Sequence, residues 1–415
     1  MKLLFLVDQV DYPFAPNPVL ARRTAGQLAA MGHMVHLLEL YDGQTLPPDP
    51  PEGCRAFLLP FADERKMNQA LEHGDKNGSP VPLRLARLAM HPTAVAAAVR
   101  QIVLHHPRRI DACRAMVEQL DERYHYDAVF SVNAPFPSAQ ALRDAAIGGK
   151  KLAWMMDPLT GGPASQGPDA EAVELSLCQK LDKLLITPQM AAHLSEPGCG
   201  MAAYRRKLQV VEFPCMVPPP VPPVPKEAGN RRVRCAFVGT LYPVLRTPHY
   251  ALELFRCMND PDLELVFAGD GWQHYAATLP DSCRRVMGDR LQILGQIPFA
   301  QAQEEIAKAD VLINLGNREN SQLPSKIFEI FSSGKPVLNL AKRPDDVSLP
   351  YFERYPLACT VLEREGTDLR VCARVRAFLH KNAGRQLPFA QAEALFRENT
   401  PEAVAQALLD AADGC

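Results

Sequence analysis

Asn320-Ser-Gln-Leu-Pro-Ser-Lys-Ile-Phe-Glu-Ile-Phe-Ser-Ser-Gly-Lys-Pro-Val-Leu338 reads as a short helix feeding a strand. Pro324 and Ser325 suit a helix start, because proline lacks the amide that would otherwise go unpaired there. Gly334 suits the helix stop, and Lys335-Pro336 lead into the strand at 336–340. A helix start offers free amides and the positive end of a dipole, which together attract a phosphate. Lys326 adds a full positive charge in the first turn, where the dipole disfavours one. An anion bound there would resolve the conflict. Glu329, one turn on, is within reach of ribose hydroxyls; taken alone it could simply complement the dipole.

Outward from this stretch, strands and helices alternate. In the C-terminal half, strands are expected at 234–238, 263–268, 291–294 and 311–314, with helices at 248–258, 299–307 and 325–333. In the N-terminal half, Leu3 to Val7 opens a strand-helix-strand unit closed by Met34 to Leu40. Strands follow at 128–132, 151–156 and 183–187, and helices at 138–146 and 170–181. This alternation predicts an α/β chain with parallel sheets, built as two Rossmann-like doubly wound domains. Ligands of such domains bind at the carboxyl ends of the strands, here in a central cleft between the two.

The boundary falls at Met216-Val-Pro-Pro-Pro-Val-Pro-Pro-Val-Pro225. Prolines at this density cannot donate ladder or helix hydrogen bonds, so the segment is expected to be an extended connector. The expected domains are 1–215, with a helical insertion at about 83–122, a linker at 216–230, and a second domain at 231–390. Residues 391–415 are expected to return as helices onto the first domain.

Composition narrows the function. The chain has 415 residues, too many for one ordinary core. A net charge of −2 argues against a nucleic-acid footprint. The eleven cysteines show no metal-ligand or disulfide spacing, so reduced thiols in a cytoplasmic protein are expected. No apolar run approaches the roughly 20 residues of a membrane span. Arginines 84, 87 and 100 interleave with apolar residues. That pattern suits an amphipathic pair packed on the domain, or peripheral contact with the inner face of a membrane. Zinc-protease, serine-hydrolase and P-loop motifs are absent.

The segment around Lys326 resembles the donor-site motif of nucleotide-sugar glycosyltransferases of the GT-B fold, family 4-like, which often read P-x-K-[IL]-F-E-Y before G-x-P-V. Phe237-Val-Gly-Thr-Leu-Tyr242 resembles the first strand and glycine turn of the donor domain. Leu265-Val-Phe-Ala-Gly-Asp-Gly271 resembles the next strand and turn. The resemblance implies a hexosyltransferase-like enzyme of polysaccharide biosynthesis, retaining and with no obligatory metal or other cofactor. Its substrates would be a nucleoside diphosphate sugar and a glycan, lipid-linked or small-molecule acceptor. It assigns the diphosphate to Gly239, Thr240, Arg246, Ser325 and Lys326, and the ribose to Glu329. Gln296, Ile297 and Pro298 would receive the nucleobase, and Asn320, Ser321, Leu323 and Pro324 would face the sugar. Asp157 is the candidate catalytic group near the acceptor. Two departures stand out: Ser321 replaces the first of two motif glutamates, and Thr240 replaces an arginine. They keep two other readings open, a non-catalytic sugar-nucleotide-binding protein and a sugar-nucleotide epimerase of the same fold.

Overall fold

The computed structural model describes residues 1–8, 16–41, 46–60, 106–133, 137–157, 170–196, 198–222, 224, 232–275, 281–318 and 323–414. It divides into two compact units, Met1–Pro214 with Pro401–Cys415, and Cys215–Thr400. Each is a wholly parallel sheet with helices. Among the described residues, no helix is long and apolar enough to cross a membrane. The arginine-bearing stretch 84–100 lies outside the described residues.

The first unit contains β1 (Lys2–Asp8), α1 (Pro16–Ala30), β2 (Met34–Tyr41), β3 (Cys54–Pro60), α2 (His106–Tyr124), β4 (Ala128–Asn133) and α3 (Pro137–Asp144). It continues through β5 (Lys150–Met155), α4 (Ala170–Lys180), β6 (Lys183–Ile186), α5 (Pro188–His193) and β7 (Leu208–Val210). The sheet order is β3-β2-β1-β4-β5-β6-β7, so the winding reverses between β1 and β4. Residues 3–8 of β1 are all buried, as expected of a parallel strand covered on both faces. Two charged pairs are buried with it, Arg22 with Glu39 and Arg109 with Asp8.

The second unit contains β8 (Val233–Val238), α6 (His249–Met258), β9 (Leu263–Ala268), α7 (Asp281–Met287), β10 (Leu291–Gly295), α8 (Phe299–Lys308), β11 (Val311–Leu315) and α9 (Lys326–Ser332). After these come β12 (Val337–Ala341), α10 (Leu349–Arg354), β13 (Ala358–Leu362), α11 (Leu369–Asn382) and α12 (Phe389–Leu395). The order β10-β9-β8-β11-β12-β13 reverses between β8 and β11. Asn314, Asn339 and Thr360 stand opposite one another on β11, β12 and β13. Asn314 Nδ2 donates to Asn339 Oδ1 at 2.8 Å, and Asn339 Nδ2 donates to Thr360 Oγ1 at 3.3 Å. Asn339 is fully buried, so a slip of register would strand its amide without partners.

Two expectations about the chain ends of this unit need correcting. The proline-rich segment was expected to be an extended connector outside both domains, but its described residues belong to the second unit. The Met216 amide donates to the Asn399 carbonyl at 2.9 Å and the Val224 amide to the Ala307 carbonyl at 3.2 Å. The segment's non-proline residues keep their amides, and these two use them to dock it. Residues 391–400, expected to return to the first domain, also lie in the second unit. The cause is Phe396, whose ring stacks on Phe331 with centroids 4.7 Å apart and contacts Phe328 at 6.1 Å. Only the last helix, α13 (Pro401–Asp413), belongs to the first unit. There Gln209 Nε2 donates to the Ala407 carbonyl at 2.9 Å.

A charged cluster braces β8 against α8. Arg234 donates to Glu264 Oε1 at 2.9 Å and to Glu305 Oε2 at 2.5 Å. Burial alone would raise the Glu305 pKa, but hydrogen bonds from Arg234 and Lys308 hold it below the ordinary glutamate value of 4.5. A carboxylate depressed in the folded state contributes stability above its unfolded pKa and loses it as pH falls through the folded one. Glu305→Gln is therefore expected to cost about 1 kcal/mol near neutrality. In urea unfolding, the gap to wild type should narrow as pH drops below 4.5. A gap that persists unchanged in acid would contradict this role.

Candidate active site

The sheet of the second unit places its strand ends, and hence the site, by three glycines. Gly239, Gly269 and Gly295 end or follow β8, β9 and β10, and hydrogen bonds stitch them together. Gly239 N donates to Ala268 O at 2.9 Å, and Gly269 N donates to Gly295 O at 2.7 Å. Gly269 has φ +132°, and a Cβ added to it would stand 2.0 Å from the Gly239 carbonyl oxygen. Only glycine permits this approach.

Beyond Gly239 the chain makes a small hairpin. Tyr242 and Arg246 exchange backbone hydrogen bonds at 3.0 Å in both directions. The Leu245 amide donates to the Pro243 carbonyl at 2.8 Å, closing a tight turn at Val244, which has φ +70°. A β-branched residue with positive φ is strained, and such strain collects at functional sites. The hairpin is held from two sides: Tyr275 Oη donates to the Tyr242 carbonyl at 3.1 Å, and the Arg318 amide to the Leu245 carbonyl at 2.9 Å.

Arg246, at the base of that hairpin, reaches across the point where the sheet reverses. Its Nε and Nη2 both donate to Asn317 Oδ1, at 3.1 and 2.9 Å. Its guanidinium lies 5.9 Å from the centre of the Tyr242 ring. Burial holds the Arg246 pKa below the usual arginine value.

On the other side of the reversal stands α9. Ile327, Phe328, Ile330 and Phe331 face inward, the two phenylalanines against Phe352, Phe396 and neighbouring rings. That periodicity turns Lys326 and Glu329 outward. Their side chains are 35% and 44% exposed, with Nζ and Oε2 3.5 Å apart. Lys326 Cδ lies 3.8 Å from where a Gly239 Cβ would be, so the turn after β8 and the start of α9 adjoin.

The structure thus brings Gly239, Thr240, Arg246, Ser325, Lys326 and Glu329 to one edge of one unit. Gln296, Ile297 and Pro298 follow β10 on the same edge, with Gln296 and Pro298 exposed. Two expectations change. The Gly239 amide, expected to meet phosphate, is spent on Ala268; those of Thr240 and Ser325 have no acceptor among the described residues. Leu323, expected to face the sugar, is 3% exposed and packs into the protein as an apolar side chain does. Asn320 and Ser321 lie outside the described residues, whereas Pro324 is half-buried. In the first unit, Asp157 follows β5 and accepts a hydrogen bond from Asn17 Nδ2 at 3.1 Å. Sequence reasoning missed Asn317, Tyr242 and the hairpin; the pattern Tyr-Pro-Val-Leu-Arg between two turns was the only signal for them.

No protein-family model matches the chain, and no curated protein matches it in sequence. In three dimensions it is similar to sucrose-phosphate synthase from Thermosynechococcus elongatus, with a TM-score of 0.59 and 16% identity over 99% of this chain and 98% of that one. It is also similar to Anabaena HepE in complex with UDP and glucose, with a TM-score of 0.58 and 13% identity over 100% of both chains. The fold is GT-B. UDP-GlcNAc 2-epimerase from Methanocaldococcus jannaschii matches too, with a TM-score of 0.50 and 8% identity over 99% of both chains. A GT-B frame alone therefore does not name the reaction; the site has to.

Proposed function

We propose that this GT-B protein is a glycosyltransferase that moves a sugar from a nucleoside diphosphate sugar to a glycan, lipid-linked or small-molecule acceptor. The observation that carries this reading is the meeting of Arg246 and Lys326 with a glycine-built turn where the second sheet reverses. Bond cleavage at the anomeric carbon leaves charge on the diphosphate. Two fixed cations and the amides of Thr240 and Ser325 supply electrostatic stabilisation where that charge grows, with no obligatory metal. Glu329 anchors the ribose, and Gln296 to Pro298 border the nucleobase. Retention of anomeric configuration and a place in polysaccharide biosynthesis extend the same reading. The uridine nucleotide in HepE makes UDP-sugars the first donors to try.

Lys326→Ala is expected to weaken UDP binding about tenfold, the loss of one exposed charge-assisted contact. Calorimetry showing an unchanged affinity would remove Lys326 from the site. The transferase reading itself is tested by incubating the protein with UDP-sugars, with and without a pool of glycan and lipid-linked acceptors. Release of UDP that requires an acceptor supports transfer. A second reading, epimerisation, is favoured by the likeness to the 2-epimerase. It predicts a converted sugar nucleotide with no acceptor present. Tight donor binding without any turnover would instead leave a binding protein.

A further inference from the structure

Asn317 follows β11 and is 8% exposed, yet its carbonyl oxygen receives two hydrogen bonds from one guanidinium. A buried arginine is ordinarily matched with a carboxylate, and this protein does so elsewhere, pairing Arg22 with Glu39 and Arg234 with Glu264 and Glu305. Arg246 is treated differently. Among the described residues, no carboxylate lies within ion-pair distance of it. The nearby acid, Asp346, has Oδ1 committed to the Ser348 amide at 2.8 Å and hydroxyl at 2.6 Å. Lys342, on the same sheet edge, has its own carboxylate in Glu363 at 3.2 Å. Among the described residues Arg246 is thus oriented by a neutral acceptor, with Asp346 acting on its charge only from beyond ion-pair distance.

We propose that Asn317 is a positioning residue that fixes the Arg246 guanidinium through a neutral amide, keeping its full charge available to the diphosphate of the donor. A carboxylate there would hold the guanidinium equally well and neutralise it, so an incoming phosphate would compete with an internal anion. An apolar residue would leave the charge and lose the aim. The inference rests on the donor-site reading of this edge and adds a requirement that reading does not make: the holder of Arg246 has to be uncharged.

The test is calorimetric binding of inorganic pyrophosphate, UDP and uridine to wild type, Asn317→Asp and Asn317→Ala, with thermal unfolding of each. Asn317→Asp is expected to weaken pyrophosphate and UDP binding about tenfold or more, with uridine affinity kept and melting temperature level or raised. A merely structural asparagine would move uridine and pyrophosphate together, along with stability. Pyrophosphate affinity in Asn317→Asp equal to wild type, or absent in wild type, would overturn the proposal. Should Asn317→Asp not fold, Asn317→Ala decides: selective loss of pyrophosphate supports the proposal, and no loss or a parallel loss of uridine overturns it. Pyrophosphate binding with the expected dependence on Asn317, but no binding of UDP, ADP or GDP, would keep this inference and end the glycosyltransferase reading.

Discussion

Arg246→Met is expected to weaken UDP binding about a hundredfold while leaving the melting temperature close to that of wild type. A charge-assisted hydrogen bond to phosphate contributes about 1.5–3 kcal/mol, and the Arg246 fork can supply two. The stability side runs the other way. Burial holds the Arg246 pKa below its usual value, so the folded protein carries a desolvated charge that methionine would remove. Against that gain stands the loss of two hydrogen bonds to Asn317. The two nearly offset, because a charge kept for a ligand contributes little to the unliganded fold. Calorimetry and thermal unfolding on the same sample separate the cases. A large fall in melting temperature with intact UDP affinity would make Arg246 a structural residue and move the phosphate elsewhere.

The second large effect is on stability. Gly269→Ala is expected to cost about 3–5 kcal/mol, because the new methyl carbon would sit 2.0 Å from the Gly239 carbonyl oxygen. That oxygen is not free to retreat, since Gly239 N is bonded to Ala268 O and Gly269 N to Gly295 O. Gly366 is the control. It too has positive φ, +71°, but an added Cβ there meets nothing within 4 Å. Gly366→Ala should therefore cost only the backbone strain of its φ +71°, ψ −159° conformation, about 1–3 kcal/mol. Urea unfolding compares the pair directly, and equal costs would show that the contact with Gly239 does not matter. Any Gly269→Ala protein that folds should also bind UDP poorly, because Gly239 would have shifted beneath Lys326.

Much of this was legible in the sequence, for identifiable reasons. The buried strands read clearly because parallel strands are apolar on both faces: Leu263–Ala268 spans the residues expected of it, and β1 needed only its end residues adjusted. Helix α9 was legible from the Pro324-Ser325 start and the Gly334 stop, which bracket Lys326–Ser332. The two edge strands of the first unit were not. Residues of β3 are only partly buried, and β7 has three residues, so neither leaves a continuous apolar run. The reach of the second unit to Thr400 depends on one ring, Phe396, meeting Phe331 across more than sixty residues. No local pattern announces such a contact. The Arg234 cluster is hidden for the same reason, since it needs the register of β8 against β9 to place Arg234 beside Glu264. Asn317 looked like any polar residue after a strand. Its importance appears only when the hairpin from Tyr242 brings Arg246 across the sheet reversal.

The departures at Thr240 and Ser321 now carry different weight. The missing arginine at position 240 leaves Arg246 and Lys326 as the cations proposed for the diphosphate, since Lys342 on the same edge is paired with Glu363. Each substitution in them should therefore cost more than in a site with a spare charge. A glycosyl donor also needs a contact to its sugar hydroxyls, and the buried Leu323 side chain does not offer one. Of the described residues proposed to face the sugar, that leaves the half-buried Pro324.

The most direct measurement is a crystal structure of the protein with UDP bound. The expected result is a diphosphate at the β8 and β11 strand ends, with its oxygens within hydrogen-bond distance of Arg246 and Lys326 and the ribose beside Glu329. A nucleotide lodged away from that edge, or a diphosphate contacting neither cation, would contradict the central claim.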